Sequence, residues 1–164
     1  GHIEMDEAYI GGVRPSGKHR GLGRGTPDKT IVFGMVQRGG RTVAEVVPNV
    51  KTDTLRERVL RNVKRGSTIN TDEYPSYKLL KREQYRHVTV EHGAKEYARW
   101  EERTKTMHHT NSVESFWSIF KNSIRSTHIH VSPKYMDRYL SEFTFRSNHR
   151  QMTNAMFDLL ISAV

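Results

Sequence analysis

Residues 30–48, TIVFGMVQRGGRTVAEVVP, decide the fold. The first half is a nearly continuous apolar run, the pattern of a strand covered on both faces. Arg38-Gly39-Gly40 turn the chain, and residues 41–48 return beside it, so the stretch reads as a hairpin. Upstream, residues 3–10 (IEMDEAYI) read as another strand, with Ile3, Met5 and Tyr9 on one face and Asp6 on the other, ended by Gly11-Gly12. Together these make an antiparallel meander. Downstream the pattern changes. Thr52 can cap a helix that buries Leu55, Val59 and Val63 and closes at Gly66. Residues 67–73 (STINTDE) are a short strand ending at Asp72, Tyr74-Pro75-Ser76 lead into a helical stretch at 76–82, and residues 86–91 (RHVTVE) are the fifth strand.

Residues 92–110 read as charged and irregular, with Tyr97 and Trp100 embedded in them. Three helices complete the chain. The first is carried by residues 108–121 (HHTNSVESFWSIFK) with Asn111 as its N-cap. The second is introduced by Ser132-Pro133, with Met136, Tyr139, Leu140 and Phe143 at helical spacing. The last spans roughly 152–163. A meander followed by strand–helix alternation predicts an α/β fold, a ribonuclease-H-like mixed five-stranded sheet flanked by helices.

The 164 residues suffice for one domain with a real core. There are no cysteines, which excludes disulfides and thiolate zinc sites. Mean hydropathy is −0.74, no apolar run is long enough for a membrane span, and no signal peptide precedes the first strand, so an intracellular protein is expected. Lys and Arg number 27 against 18 Asp and Glu, a net charge of +9 that favours a polyanionic partner, nucleic acid first. Residues 13–29 concentrate five basic residues against one acid among Gly and Pro. Arg14, Lys18, Arg20 and Arg24 are therefore expected at DNA phosphates, which position a duplex without reading it.

Three acids stand in distinctive places: Asp6 mid-strand, Asp72 at a strand end, Glu114 in the first turn of a helix. Carboxylates beside a core are costly unless paired or metal-bound. If the first and fourth strands lie side by side, Asp6 and Asp72 share one cation and Glu114 holds a second from the facing helix. Paired hard cations of this kind serve in-line attack on a phosphodiester. The bland alternative for Glu114 is a capping box, Asn111-x-x-Glu114. Helical geometry puts Glu114 and Lys121 only ~20° apart, on one edge of the apolar arc, with Asn111, Ser118 and Arg125 continuing the polar stripe. Lys121 there can reach a DNA phosphate.

The blocks IEMDEAYIGG, INTDEYPSY, HTNSVESFWSIFK, HVSPKYMDRYLSEF and FRSNHR, in this order, resemble the catalytic domain of bacterial insertion-sequence DDE transposases of the ISXO type, over about residues 3–150. The resemblance implies Asp6, Asp72 and Glu114 as catalytic metal ligands and Lys121 as the lysine that orients DNA. Some relatives are described with Asn as the third ligand, so Asn111 stays an alternative. It also implies a pair of Mg²⁺ ions (Mn²⁺ a candidate substitute), phosphodiester hydrolysis at transposon ends and strand transfer into target DNA. The setting is the bacterial cytoplasm and nucleoid, without a membrane, and holding both ends together suits a homodimer on DNA. Full-length members usually carry an N-terminal zinc-ribbon or helix-turn-helix region. Residues 3–164 are therefore expected to be the catalytic domain alone, with Gly1-His2 a cloning remnant. Alternatives are a nuclease or resolvase of the same fold, which cuts without joining, and a catalytically silent DNA-binding remnant. His108 and His109, and Arg125 beyond Lys121, are further expected DNA contacts.

Overall fold

The computed structural model describes residues 1–11, 29–90, 98–128, 131–152 and 155–162. Strands β1 (His2–Gly11), β2 (Lys29–Gln37) and β3 (Thr42–Val46) form the expected antiparallel meander, with Gly39 at positive φ in the hairpin turn. After α1 (Thr52–Asn62), strand β4 (Thr68–Thr71) pairs parallel to β1. A 3-10 segment (Pro75–Arg82) then leads to β5 (Arg86–Thr89), parallel to β4. The sheet order is β3-β2-β1-β4-β5, so β1 is central and its two sides carry different kinds of pairing.

The period-2 alternation of the strands sorts the core into two layers. Ile3 and Met5 of β1, with Phe33 and Met35 of β2, pack against Leu55 and Val59 of α1. Ala8 and Ile10, with Val32 and Val36, face helices α2 (Asn111–Ser123) and α3 (Met136–Asn148) through Val113, Trp117, Phe120 and Leu140. The near-continuous apolar run of β2 is explained, since both of its faces are covered. α3 is fastened to the sheet by Asn148, whose Oδ1 accepts from Thr42 N–H at 2.7 Å while its amide donates to Thr42 O at 2.9 Å.

Four expectations need correction. Within residues 92–110, β6 (Arg99–Glu101) and β7 (Thr106–His108) form a small antiparallel hairpin where irregular chain was expected. Strands of three residues are too short to show a period. Helix α2 begins at Asn111, so Thr110 and not Asn111 is its N-cap, and the capping box does not form. α2 runs on into a π-helical turn at Ile124–His128. The Ser132-Pro133 start is a 3-10 turn, Pro133–Tyr135, before α3 proper, and the final helix α4 is shorter than expected, Met156–Ser162. Among the described residues no helix is long and apolar enough to cross a membrane.

Candidate active site

In the parallel β1–β4 pairing, Glu4 stands opposite Asn70. Two residues further along each chain, Asp6 and Asp72 come abreast on the same face. That face is the one α2 covers. Gly34 of β2, the partner of Asp6 across the sheet, is what lets α2 settle there: a Cβ on Gly34 would lie 2.5 Å from Cζ2 of Trp117. With Trp117 seated on the strand, Glu114, one turn earlier, overhangs the two aspartates. Asp6, Asp72 and Glu114 line one cavity of about 430 Å³, together with Met5, Tyr74 and Thr110.

Like charges crowd this cavity. Burial first, then the neighbouring Glu7, Asp72 and Glu114, push the Asp6 carboxyl up to about 7. Asp72 Oδ1 accepts from Tyr74 N–H at 3.0 Å, a turn closed by the aspartate's own side chain. Glu114 Oε1 accepts from the Thr110 hydroxyl at 2.6 Å. On the opposite face of β1, Glu7 is buried and accepts from Tyr77 Oη at 2.8 Å; burial and then Glu7 hold the Tyr77 hydroxyl well above its ordinary range.

Hard carboxylate oxygens around one pocket are the donor chemistry that Mg²⁺ takes. Their spacing is looser than a ligand set, because among the described residues no three His, Cys, Asp or Glu side chains come together closely enough to hold a metal ion. The acids fit such an ion in kind and in the direction they face. Tyr74 N–H and the Thr110 hydroxyl hold two of them.

Other expected residues divide. Lys121, in α2, is half-buried, and Arg125, in the π-helical turn that follows, is exposed. Asn111 is exposed and is not among the residues lining the cavity. His108 is corrected: it is 1% exposed, with Nδ1 2.7 Å from Asn70 Oδ1 and Nε2 3.2 Å from Glu101 Oε2, so it braces β7 against β4 rather than meeting a phosphate. His109 is half-buried, with its pKa lowered, mainly by burial, and its Nδ1 3.1 Å from Glu4 Oε1. Arg14, Lys18, Arg20 and Arg24 lie outside the described residues.

Sequence reasoning passed over Glu4, which is fully buried and accepts from Ser112 and Arg38. The available signal was its place two residues before Asp6, on the same strand face.

The sequence model of the ISXO2-like transposase domain matches residues 1–148. An uncharacterized transposase-like protein of Haemophilus influenzae is 24% identical over 107 residues, which is 65% of this chain and 80% of that protein. The catalytic core domain of BIV integrase superposes with a TM-score of 0.54 at 14% identity, covering 88% of this chain and 81% of the integrase chain. At that identity the likeness speaks to the fold alone, and it agrees with the ribonuclease-H-like sheet. Mos1 transposase, in a paired-end complex with its left transposon end, gives a TM-score of 0.44 at 12% identity over 91% of this chain and 51% of that one.

Proposed function

We propose that this chain, which belongs to the ISXO2-like transposase family, is the domain that cuts transposon ends and joins them to target DNA. One observation carries the reading: Asp6, Asp72 and Glu114, from a strand, a strand end and a helix, line a single cavity. These three would hold divalent cations, Mg²⁺ by preference for their oxygen donors. When bound, such ions activate the attacking water or 3′-hydroxyl and neutralise charge at the phosphate.

The chain's own residues have separate tasks. Asp6 must give up a proton to serve as a ligand, because its carboxyl is held up to about 7. Tyr74 N–H and the Thr110 hydroxyl orient the Asp72 and Glu114 carboxylates. Lys121, in α2, and Arg125, in the π-helical turn that follows it, would take DNA phosphates. The net charge of +9 supports a DNA partner. Paired transposon ends call for two copies on DNA.

Calorimetric titration of Mn²⁺ tests this, in wild type, Asp72→Ala and Glu114→Gln, each alone and with a transposon-end duplex. Wild type should bind, and each variant should lose about tenfold or more in affinity, as removal of a ligand does, together with its cleavage activity. Full binding by both variants would remove the acids from the metal site. Cleavage without joining by wild type would leave a nuclease in place of a transposase.

A further inference from the structure

Glu4 is 0% exposed and lies in the central strand, where a carboxylate is costly unless donors surround it. Here they do. Its Oε2 accepts from Ser112 N–H at 2.7 Å and from Val113 N–H at 3.3 Å. Its Oε1 accepts from the Ser112 hydroxyl at 3.0 Å and from Arg38 Nε at 2.7 Å. Those backbone donors are the open N–H groups of the first turn of α2. Thr110, the N-cap residue, makes no capping bond to them. A side chain from β1 therefore caps α2, supplying what the helix's own sequence lacks.

Arg38 extends the same grip. Its Nη1 donates to Met107 O at 2.5 Å and its Nη2 to His109 O at 3.1 Å, so the segment that feeds α2 is pinned to the β2–β3 turn.

The position of this cap matters because Glu114 follows Val113 directly. Asp6, Asp72 and Glu114 line one cavity, so acids of like charge gather where the first turn of α2 meets the strand. Glu4 and Asp6 share one strand face, so the cap refers the helix carrying Glu114 to the same strand that carries Asp6.

We propose that Glu4 is a positioning residue, a clamp that holds the first turn of α2 on β1 and thereby fixes the approach of Glu114 to Asp6. The role assigned to Glu114 rests on the metal-site reading above; the clamp itself does not.

Two measurements on the whole chain test it, with Glu4→Gln as the principal variant. The first is amide hydrogen exchange. Ser112 and Val113 should exchange about tenfold faster or more in Glu4→Gln, while Leu55 and Val59 of α1 keep their rates. If Glu4→Gln unfolds, all amides accelerate together. Ser112→Ala, which removes only the hydroxyl contact, then replaces it, with about a threefold acceleration expected at Val113. Unchanged exchange at both amides overturns the clamp.

The second is Mn²⁺ titration of Glu4→Gln, Glu114→Gln and the double variant. Glu4→Gln should weaken binding about tenfold alone and by nothing further once Glu114 is replaced. A role in stability alone would leave affinity unchanged in the folded single variant, and additive losses would mean that Glu4 does not act through Glu114; either result overturns the positioning role. Failure of wild type to bind Mn²⁺, with or without duplex, would sink the proposed function and the positioning role together. The exchange result would still read the clamp by itself.

Discussion

Asp6 holds its proton more tightly in the folded chain than in the unfolded one, because burial, and then Glu7, Asp72 and Glu114, raise its carboxyl from 3.8 to about 7. The folded state therefore binds the extra proton between those values, and stability falls as pH rises through the window. The penalty is absent below about pH 4 and complete above about pH 7. Asp6→Asn removes the ionisation, so the metal-free protein should gain about 2–4 kcal/mol at pH 8 and almost nothing at pH 4. Urea melts at the two pH values check this; an equal gain at both would detach the effect from Asp6's charge. Metal binding works in the opposite sense. Mn²⁺ should bind more tightly as pH rises toward 7, with a proton released. That Asp6, Asp72 and Glu114 meet at one cavity was legible because Asp6 stands mid-strand among apolar neighbours, Asp72 at a strand end and Glu114 in the first turn of a helix. Glu4 is just as conspicuous, yet its reason lies 108 residues away in Ser112, and no local pattern carries a partner at that distance.

At the scale of elements, α2 is read easily and placed with difficulty. Val113, Phe116, Trp117 and Phe120 are all buried, as their helical spacing predicts. What that spacing cannot say is which strand receives the face, or that Gly34 is the reason. Gly34→Ala puts a methyl where the Trp117 ring lies, and should cost about 1–3 kcal/mol by overpacking. If the cost is steric, Gly34→Ala with Trp117→Phe should recover at least half of it in a denaturation cycle, because the smaller ring frees the space. No recovery would mean that the alanine acts on the strand and not through the helix. Two features escaped the sequence for related reasons. The β6–β7 hairpin is too short for periodicity, and the α2 cap is donated by another element. The meander and the two-layer core were legible because β1 and β2 are nine or ten residues long, enough to display their alternation.

At the scale of the molecule, a chain of net charge +9 lines one cavity with four of its 18 acids, Asp6, Asp72, Glu73 and Glu114. Without a cation that cavity repels a phosphate, so DNA affinity must come from basic groups elsewhere, and the salt dependence of binding counts them. Each phosphate contact releases counterions and contributes about 0.9 to the slope of log affinity against log salt. Neutralising Arg14, Lys18, Arg20 and Arg24 together should therefore flatten the slope by about 3–4 and weaken binding to any duplex alike. Glu114→Gln should leave that slope unchanged in metal-free buffer, since it removes repulsion at the cavity and no contact. The pair of results separates holding DNA from cutting it, and filter binding across a salt series measures both. An unchanged slope in the fourfold variant would move the phosphate contacts to the end of α2 and the π-helical turn after it. Replacing Lys121 and Arg125 should then lower the slope by about two, and only that outcome would make the helix carrying Glu114 the main DNA-bearing element as well.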